Sequence, residues 1–135
     1  MKNKVIVDTN IVISALLGGK SRFILFDSRF EFIASNFILR EVRKYIPLIS
    51  KMSGATTDEI EEAISLLPLL IIDEDDYQDY AFQAKELIGD IDKNDVEILA
   101  LYLAKGDFLW SEDKHFEAVD YKLNILKTKD FLNFI

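Results

Sequence analysis

The order of apolar and polar positions divides the chain into alternating extended and helical stretches. Lys4-Val5-Ile6-Val7 is a short β-branched run that ends in Asp8-Thr9-Asn10, and an apolar run of that length bounded by a turn predicts a buried strand. Ile11 to Leu17 is apolar on every face and closes at Gly18-Gly19. Periodicity alone leaves this run as a buried helix or a second strand. A helix with Gly18 near its C-terminal cap is the preferred reading. Lys20 to Ser28 reads as a short helix that buries Phe23, Ile24 and Phe26, and Phe30 to Ala34 as a short strand. Ser35 is a candidate N-cap for a helix from Asn36 to Tyr45, with Phe37, Ile38, Val42 and Tyr45 on its apolar stripe. Pro47 to Met52 adds a further turn or two. Thr56 and Glu59 have capping-box spacing, at the head of a helix that buries Ile60, Ala63, Ile64 and Leu67 and stops before Pro68. Leu69 to Ile72 predicts a buried strand, and Asp73-Glu74-Asp75-Asp76 a solvated acidic turn. Tyr77, Ala81, Ala84 and Ile88 space out a helix that ends at Gly89. Gly89 to Asp95 is a polar loop. Val96 to Ala104 is apolar nearly all round, which predicts a central, buried helix ended by Gly106. Phe108-Leu109-Trp110 is a fourth strand, Lys114 to Val119 a short helix, Leu123 to Leu126 a last strand and Lys127 to Ile135 a last helix.

Strands that alternate with helices predict an α/β fold, a mostly parallel sheet with helices on both faces. The length of 135 residues is that of one domain, 1–135. Half of the residues are hydrophobic, enough for a substantial core. There is no cysteine and one histidine, His115, which excludes disulfides, thiolate catalysis and Cys- or His-rich metal sites. Any metal would be a hard cation held by oxygen, of which magnesium and manganese are the usual examples. The apolar runs fall well short of the roughly 20 residues of a membrane-spanning helix. Lys2 and Lys4 precede apolar residues as in a signal peptide, but Asp8 and Asn10 interrupt the run, so a cytoplasmic protein is expected. The net charge of −8 argues against a uniformly basic surface that coats nucleic acid. It leaves room for an enzyme that meets nucleic acid through bound cations and a local basic patch.

Four acids then stand out. Asp8 closes the first strand, and ligands of open α/β sheets bind outside the carboxyl ends of the strands. Asp113 lies just past the fourth strand. Asp95 begins the buried helix, with Asp92 one turn earlier, and Glu41 lies within a helix. Strand ends and helix starts share one edge of a parallel sheet, so Asp8, Asp95 and Asp113 can converge there, and Glu41 joins them if its helix crosses that edge. Each acid also has a plainer reading: Asp8 and Asp95 as helix caps, Asp92 as a loop residue, Glu41 as a surface partner of Lys44, and Asp113 as a turn former. Carboxylates packed at ~4 Å repel by a few kcal/mol at a near-surface dielectric. A divalent cation reverses that sign, and two of them about 3.5–4 Å apart can activate water and stabilise the leaving oxygen in phosphodiester hydrolysis. His115 could help to bind a phosphate, or be structural or simply exposed.

These stretches resemble a known family. Val5-Ile6-Val7-Asp8-Thr9-Asn10-Ile11 is similar to the opening of PIN-domain nucleases, and Leu39-Arg40-Glu41-Val42 to their second motif. Asp92-Lys93-Asn94-Asp95 with the apolar helix behind it resembles the third. Trp110-Ser111-Glu112-Asp113-Lys114-His115-Phe116 resembles the fourth. Order and spacing hold over the whole chain. The resemblance implies a three-layer α/β/α sandwich and an Mg²⁺- or Mn²⁺-dependent endoribonuclease that binds one or two ions. It also implies a helix for Ile11 to Leu17. It makes Asp8, Glu41, Asp95 and Asp113 the catalytic acids and metal ligands, and Asp92 a fifth acid for a second, weaker ion. Asn10 and Ser111 would orient the carboxylates and the metal's water. Arg40, Arg43, Lys44 and Lys114 are candidates for gripping the RNA backbone. Many small members of this family are the toxin half of VapBC toxin–antitoxin pairs and form homodimers, so the resemblance extends to an antitoxin partner and a homodimer. Glu97 inside the third motif's helix, and Ser rather than Thr at position 111, depart from a common pattern.

Three alternatives remain. One is a catalytically silent PIN-like module that binds RNA or a protein. Another is a receiver domain, which also ends its first strand in an acid but needs a Lys after a late strand in a different spacing from Lys114. The third is a haloacid-dehalogenase-like phosphatase, whose Asp-x-Asp would require an acid where Asn10 stands.

Overall fold

The computed structural model of the chain describes residues 2–89, 92–119 and 122–133. Val5, Ile6 and Val7 have no solvent exposure, and they form the carboxyl half of β1 (Asn3–Val7). A strand buried on both faces belongs at the centre of a parallel sheet. β1 lies between β2 (Phe30–Ser35) and β4 (Phe108–Trp110); β3 (Leu69–Ile72) flanks β2, and β5 (Ile125–Leu126) flanks β4. The order is β3-β2-β1-β4-β5, and every pairing is parallel, with Ile6 opposite Ile33 and Val7 opposite Trp110.

Parallel neighbours need crossover connections, and helices supply them. α1 (Thr9–Leu16) and α2 (Ser21–Leu25) lead from β1 to β2. α3 (Asn36–Arg43), α4 (Ile46–Ser53) and α5 (Thr57–Leu66) lead to β3. α6 (Ala81–Ile88) and α7 (Lys93–Lys105) cross to β4, α8 (Lys114–Glu117) leads to β5, and α9 (Thr128–Leu132) follows. This is the predicted architecture, a parallel sheet flanked by helices. The chain steps from β1 to β2 to β3 in one direction and then returns past them to β4. The strand order therefore reverses between β1 and β4, and adjacent loops diverge there to leave a crevice.

Local signals in the sequence explain many boundaries. The Ser35 hydroxyl accepts from the Ile38 N–H at 3.1 Å and starts α3. Thr56 and Glu59 form the reciprocal capping box of α5, at 3.1 and 2.9 Å. Gly18 follows α1 with φ at +86°, a left-handed conformation that costs glycine little. α7 is buried from Asp95 to Tyr102 and packs on β1, α3 and α6. At the sheet's other side Trp110 packs against Phe131 of α9, the rings tilted with centroids 4.6 Å apart, and its indole N–H donates to Thr128 Oγ1 at 3.1 Å.

Several expectations are corrected. α2 buries Ser21, Ile24 and Leu25, one stripe at helical spacing, so Phe23 and Phe26 fall on its outer side and are 77% and 61% exposed. α3 stops at Arg43, which takes Tyr45 off the apolar stripe; it caps α4 and is exposed. β3 is an edge strand, so Leu70 and Ile71 are exposed rather than buried. Tyr77 is not helical: it sits between two single 3₁₀ turns, Glu74–Asp76 and Gln78–Tyr80, and is buried. The acidic turn is not wholly solvated, because Glu74 pairs with Arg40 and its N–H donates to Asn36 Oδ1 at 3.1 Å. Asp92, not Asp95, caps α7, so that helix starts at Lys93. Residues 90 and 91 of the polar loop, and 134 and 135 of the last helix, lie outside the described residues.

Gly106 sets how closely α7 and β1 approach. A Cβ there would lie 2.7 Å from Ile6 Cγ1 and 3.1 Å from Tyr102 Cδ1. Overpacking of this kind costs about 1–3 kcal/mol. Gly106→Ala is expected to lower the free energy of unfolding measured in urea by that amount, while Gly54→Ala, with open space around its Cβ but φ at +78°, tests backbone strain alone.

Candidate metal centre

Asp8 is the first residue past β1. Its N–H donates to the Trp110 carbonyl at 3.1 Å, which carries the β1–β4 pairing one step beyond the strand. The carboxylate is 3% exposed. Oδ2 accepts from the Ser111 hydroxyl at 2.6 Å, and Oδ1 accepts from the Asn10 N–H at 3.4 Å. Asp8 is therefore the N-cap of α1 and, at once, a buried acid at the reversal of strand order; the two sequence readings do not exclude each other. Ser111, fully buried after β4, also accepts from the Asp113 N–H at 3.0 Å. One hydroxyl thus ties the end of β1 to the turn after β4.

Asp113 caps α8, its Oδ1 accepting from the His115 N–H at 2.9 Å. The His115 ring follows, with Nδ1 3.4 Å from that same oxygen and 2.9 Å from Asp95 Oδ2. Asp95 lies in the first turn of α7 and is buried. One ligand atom from each of Asp95, Asp113 and His115 lies within 4.8 Å of the others. Asp92 caps α7 and is exposed; Asn94 accepts from the Thr9 hydroxyl at 3.0 Å, which joins the starts of α1 and α7.

The acids share a cleft of about 250 Å³, while His115 lines an adjoining cavity with Asp92 and Asp95. Asp8, Glu41, Asp92, Asp95 and Asp113 all line the cleft, with Asn10, Asn94 and Tyr45 beside them. Every acid singled out from the sequence faces this one cleft. Asn10 lines it too, while its backbone N–H holds Asp8, and Ser111 stands behind Asp8. Glu41 is half-buried, and Lys44 Nζ lies 3.0 Å from its carboxylate. None of the basic candidates lines the cleft: Lys44 reaches it only through Glu41, Arg40 pairs with Glu74, Arg43 with Glu61 at 3.2 Å, and Lys114 is exposed.

The electrostatics follow from burial. Loss of water pushes the Asp8 carboxyl above the usual range and the nearby Asp113 adds to this; the Ser111 hydrogen bond and the α1 amides oppose it. Burial likewise raises Asp95, with Asp92 and Asp113 adding, against the hydrogen bond to His115. The His115 imidazole is raised in turn, first by that bond to Asp95 and then by the field of Asp113. Buried carboxylates pre-oriented by hydrogen bonds are a donor set that suits a divalent cation of the magnesium or manganese type. His115 is a candidate ligand that the acids alone do not announce. The available signal was its position two residues after Asp113, where the cap of α8 draws its backbone toward the acid.

Each shift has a consequence for the metal-free protein. The folded pKa of Asp8 lies above its unfolded value, so its burial cost is complete above the folded pKa and vanishes as pH falls below the unfolded one. His115 works the other way: its stabilisation is complete below its unfolded pKa, near the ordinary 6.5, and is lost as pH rises through the raised folded value. In EDTA, the unfolding temperature is expected to rise as pH falls through the raised folded pKa of His115 toward its unfolded value, and His115→Ala is expected to flatten that rise. Asp8→Asn keeps an acceptor for Ser111 and removes the buried charge. It is expected to raise the unfolding temperature at neutral pH by a few degrees, about 1 kcal/mol. Calorimetry across pH measures both.

No curated protein matches the chain in sequence. Nine chains of solved structures match it. One comes from the crystal structure of VapBC2 from Rickettsia felis bound to a DNA fragment from their promoter, with a TM-score of 0.70 and 19% identity, covering 92% of this chain and 98% of that one. At that identity the likeness speaks for the fold. A family model described as PIN domain matches residues 6–131, nearly the full length. The chain belongs to the PIN domain family.

Proposed function

We propose that this chain is a metal-dependent endoribonuclease that cleaves RNA phosphodiester bonds with Mg²⁺ or Mn²⁺. The observation that carries the reading is the meeting of Asp8, Glu41, Asp92, Asp95 and Asp113 on one cleft at the strand-order reversal. Asp95, Asp113 and His115 offer the tightest set of ligand atoms, and Asp8 and Glu41 complete the wall. A divalent cation held there would activate water and neutralise charge on the scissile phosphate. The chain's own residues do the rest. Ser111 and the α1 amides hold the Asp8 carboxylate in one orientation, and the Thr9–Asn94 bond keeps α1 and α7 in register beneath it. The His115 imidazole, its pKa raised beside two acids, can in its protonated form donate a proton or bind a phosphate oxygen. Lys44 touches Glu41 directly, Arg40 and Lys114 adjoin Glu41 and Asp113 in the sequence and Arg43 lies two residues from Glu41; these four are the cations offered to an RNA backbone.

The VapBC2 likeness supports a second part of the reading: the chain acts as the toxin of a toxin–antitoxin pair, partnered by an antitoxin and by a second copy of itself. It acts in the cytoplasm; no helix among the described residues is long and apolar enough to cross a membrane.

One observation favours a silent RNA- or protein-binding module instead. Glu41 is already paired with Lys44 and Asp95 with His115, so part of the acidic charge is offset without a cation. Metal titration separates the two. Millimolar Mn²⁺ is expected to raise the unfolding temperature of the parent protein and leave that of Asp113→Asn unchanged; no shift for the parent favours the silent module. RNA cleavage is expected in Mg²⁺ or Mn²⁺, to stop in EDTA, and to fall by about a hundredfold or more in Asp8→Asn and Asp113→Asn. Variants that cut as fast as the parent would overturn the assignment.

A further inference from the structure

A second cavity, of about 460 Å³, opens on the same carboxyl edge of the sheet as the acidic cleft. Glu74, which follows β3, lies on one side, and Lys93, Val96 and Glu97 of α7 on the other. Asp95 and Glu97 are two residues apart, ~200° around the helix, so α7 carries one acid to each opening. The metal centre makes no use of Glu97.

Glu97 is 8% exposed. Its Oε2 accepts from the Tyr77 hydroxyl at 2.6 Å. Its Oε1 has no hydrogen-bond partner among the described residues, yet no fully enclosed side-chain oxygen there is unsatisfied; Oε1 therefore opens onto the cavity that Glu97 lines. Burial and Glu97 itself push the Tyr77 hydroxyl well above the usual range, so it stays a donor and Glu97 stays the acceptor. The rim is basic. Lys85 and Lys93 line the cavity, and neither has an ion-pair partner among the described residues; Lys93 Nζ lies 5.5 Å above the Phe37 ring. Glu74 is already taken by Arg40.

The cavity thus has an acceptor at its floor and cations at its mouth. A basic peptide side chain would satisfy the floor and be repelled at the rim, and an acidic one the reverse. A nucleotide satisfies both, with donors on its base and negative charge on its phosphates. We propose that this cavity is a base subsite for single-stranded RNA that takes a base bearing an exocyclic amino group, accepted by Glu97, with Lys85 and Lys93 on the flanking phosphates. A carboxylate accepts from the amino group of cytosine and repels the carbonyl that uracil presents at the same place. The volume suits a small-molecule site. The substrate class rests on the nuclease reading, and the strand would pass over the start of α7 from this cavity to the acidic cleft.

Fluorescence anisotropy with short labelled oligonucleotides of cytidine, adenosine or uridine tests this in an Asp113→Asn background, where cleavage does not interfere. Cytidine and adenosine strands are expected to bind about tenfold tighter than uridine. Glu97→Gln in that background keeps an acceptor for Tyr77 and is expected to erase the preference. Lys85→Ala is expected to weaken all three strands alike. Strands of N4,N4-dimethylcytidine, which lack the amino donors, are expected to bind as weakly as uridine, a readout that needs no change at Glu97. Equal binding of cytidine and uridine strands, or a preference that survives Glu97→Gln, overturns the subsite. Metal-dependent cleavage without base preference would leave the nuclease reading intact and remove the subsite. Base preference without cleavage by the parent protein would do the opposite.

Discussion

The hydrogen bond from Ser111 to Asp8, 2.6 Å long and buried, joins the ends of β1 and β4 where the strand order reverses. A carboxylate in that position loses its water, and an uncompensated buried charge costs several kcal/mol. The surrounding structure answers that cost in stages. The Ser111 hydroxyl and the Asn10 amide of α1 donate to the carboxylate, and the Asp8 N–H continues the β1–β4 ladder. Asp113 then reaches Ser111 through its own N–H, which brings a second acid to the same place. The fold thus assembles repelling charges at the carboxyl edge of its sheet, two of them buried, and offsets them only in part.

The incomplete compensation links stability to function. His115 shares its ring nitrogen between Asp95 and Asp113, and Lys44 occupies Glu41. Both cations sit on exposed side chains, where ion pairs are weak and easily displaced. Asp8 and Asp95 remain with raised pKa values. A site held at this electrostatic cost is typical of residues kept for chemistry rather than for stability. The remaining attraction is available to a divalent ion without any large rearrangement of the backbone.

α7 has a double role. Its apolar residues from Val96 to Tyr102 fill the core against β1, and Gly106 lets the chain turn closely past Ile6. Its first turn bears the polar groups of two openings, Asp92, Asn94 and Asp95 on one flank and Lys93 and Glu97 on the other. A helix anchored so deeply holds these groups more rigidly than a loop could.

Much of this was legible in the sequence, and for local reasons. The β-branched run before Asp8, the Ser35 cap, the capping box at Thr56 and Glu59 and the all-round apolar surface of α7 each depend on neighbours a few residues away. So do the positions of Asp8 and Asp113 at strand ends, which parallel topology brings to one edge. The exposure of Phe23, Phe26, Leu70 and Ile71 was not legible, because it depends on which face of α2 meets the core and on β3 being an edge strand. Nor was the link of His115 to Asp95, 20 residues away in the chain, or the opening of Glu97 onto a basic-rimmed cavity. Local pattern determined the elements, their order and the acids at their ends, since those follow from short-range sterics and hydrogen bonding. Only tertiary packing decided which side chains share a cavity, because that depends on the relative rotation of helices and strands that no short stretch encodes.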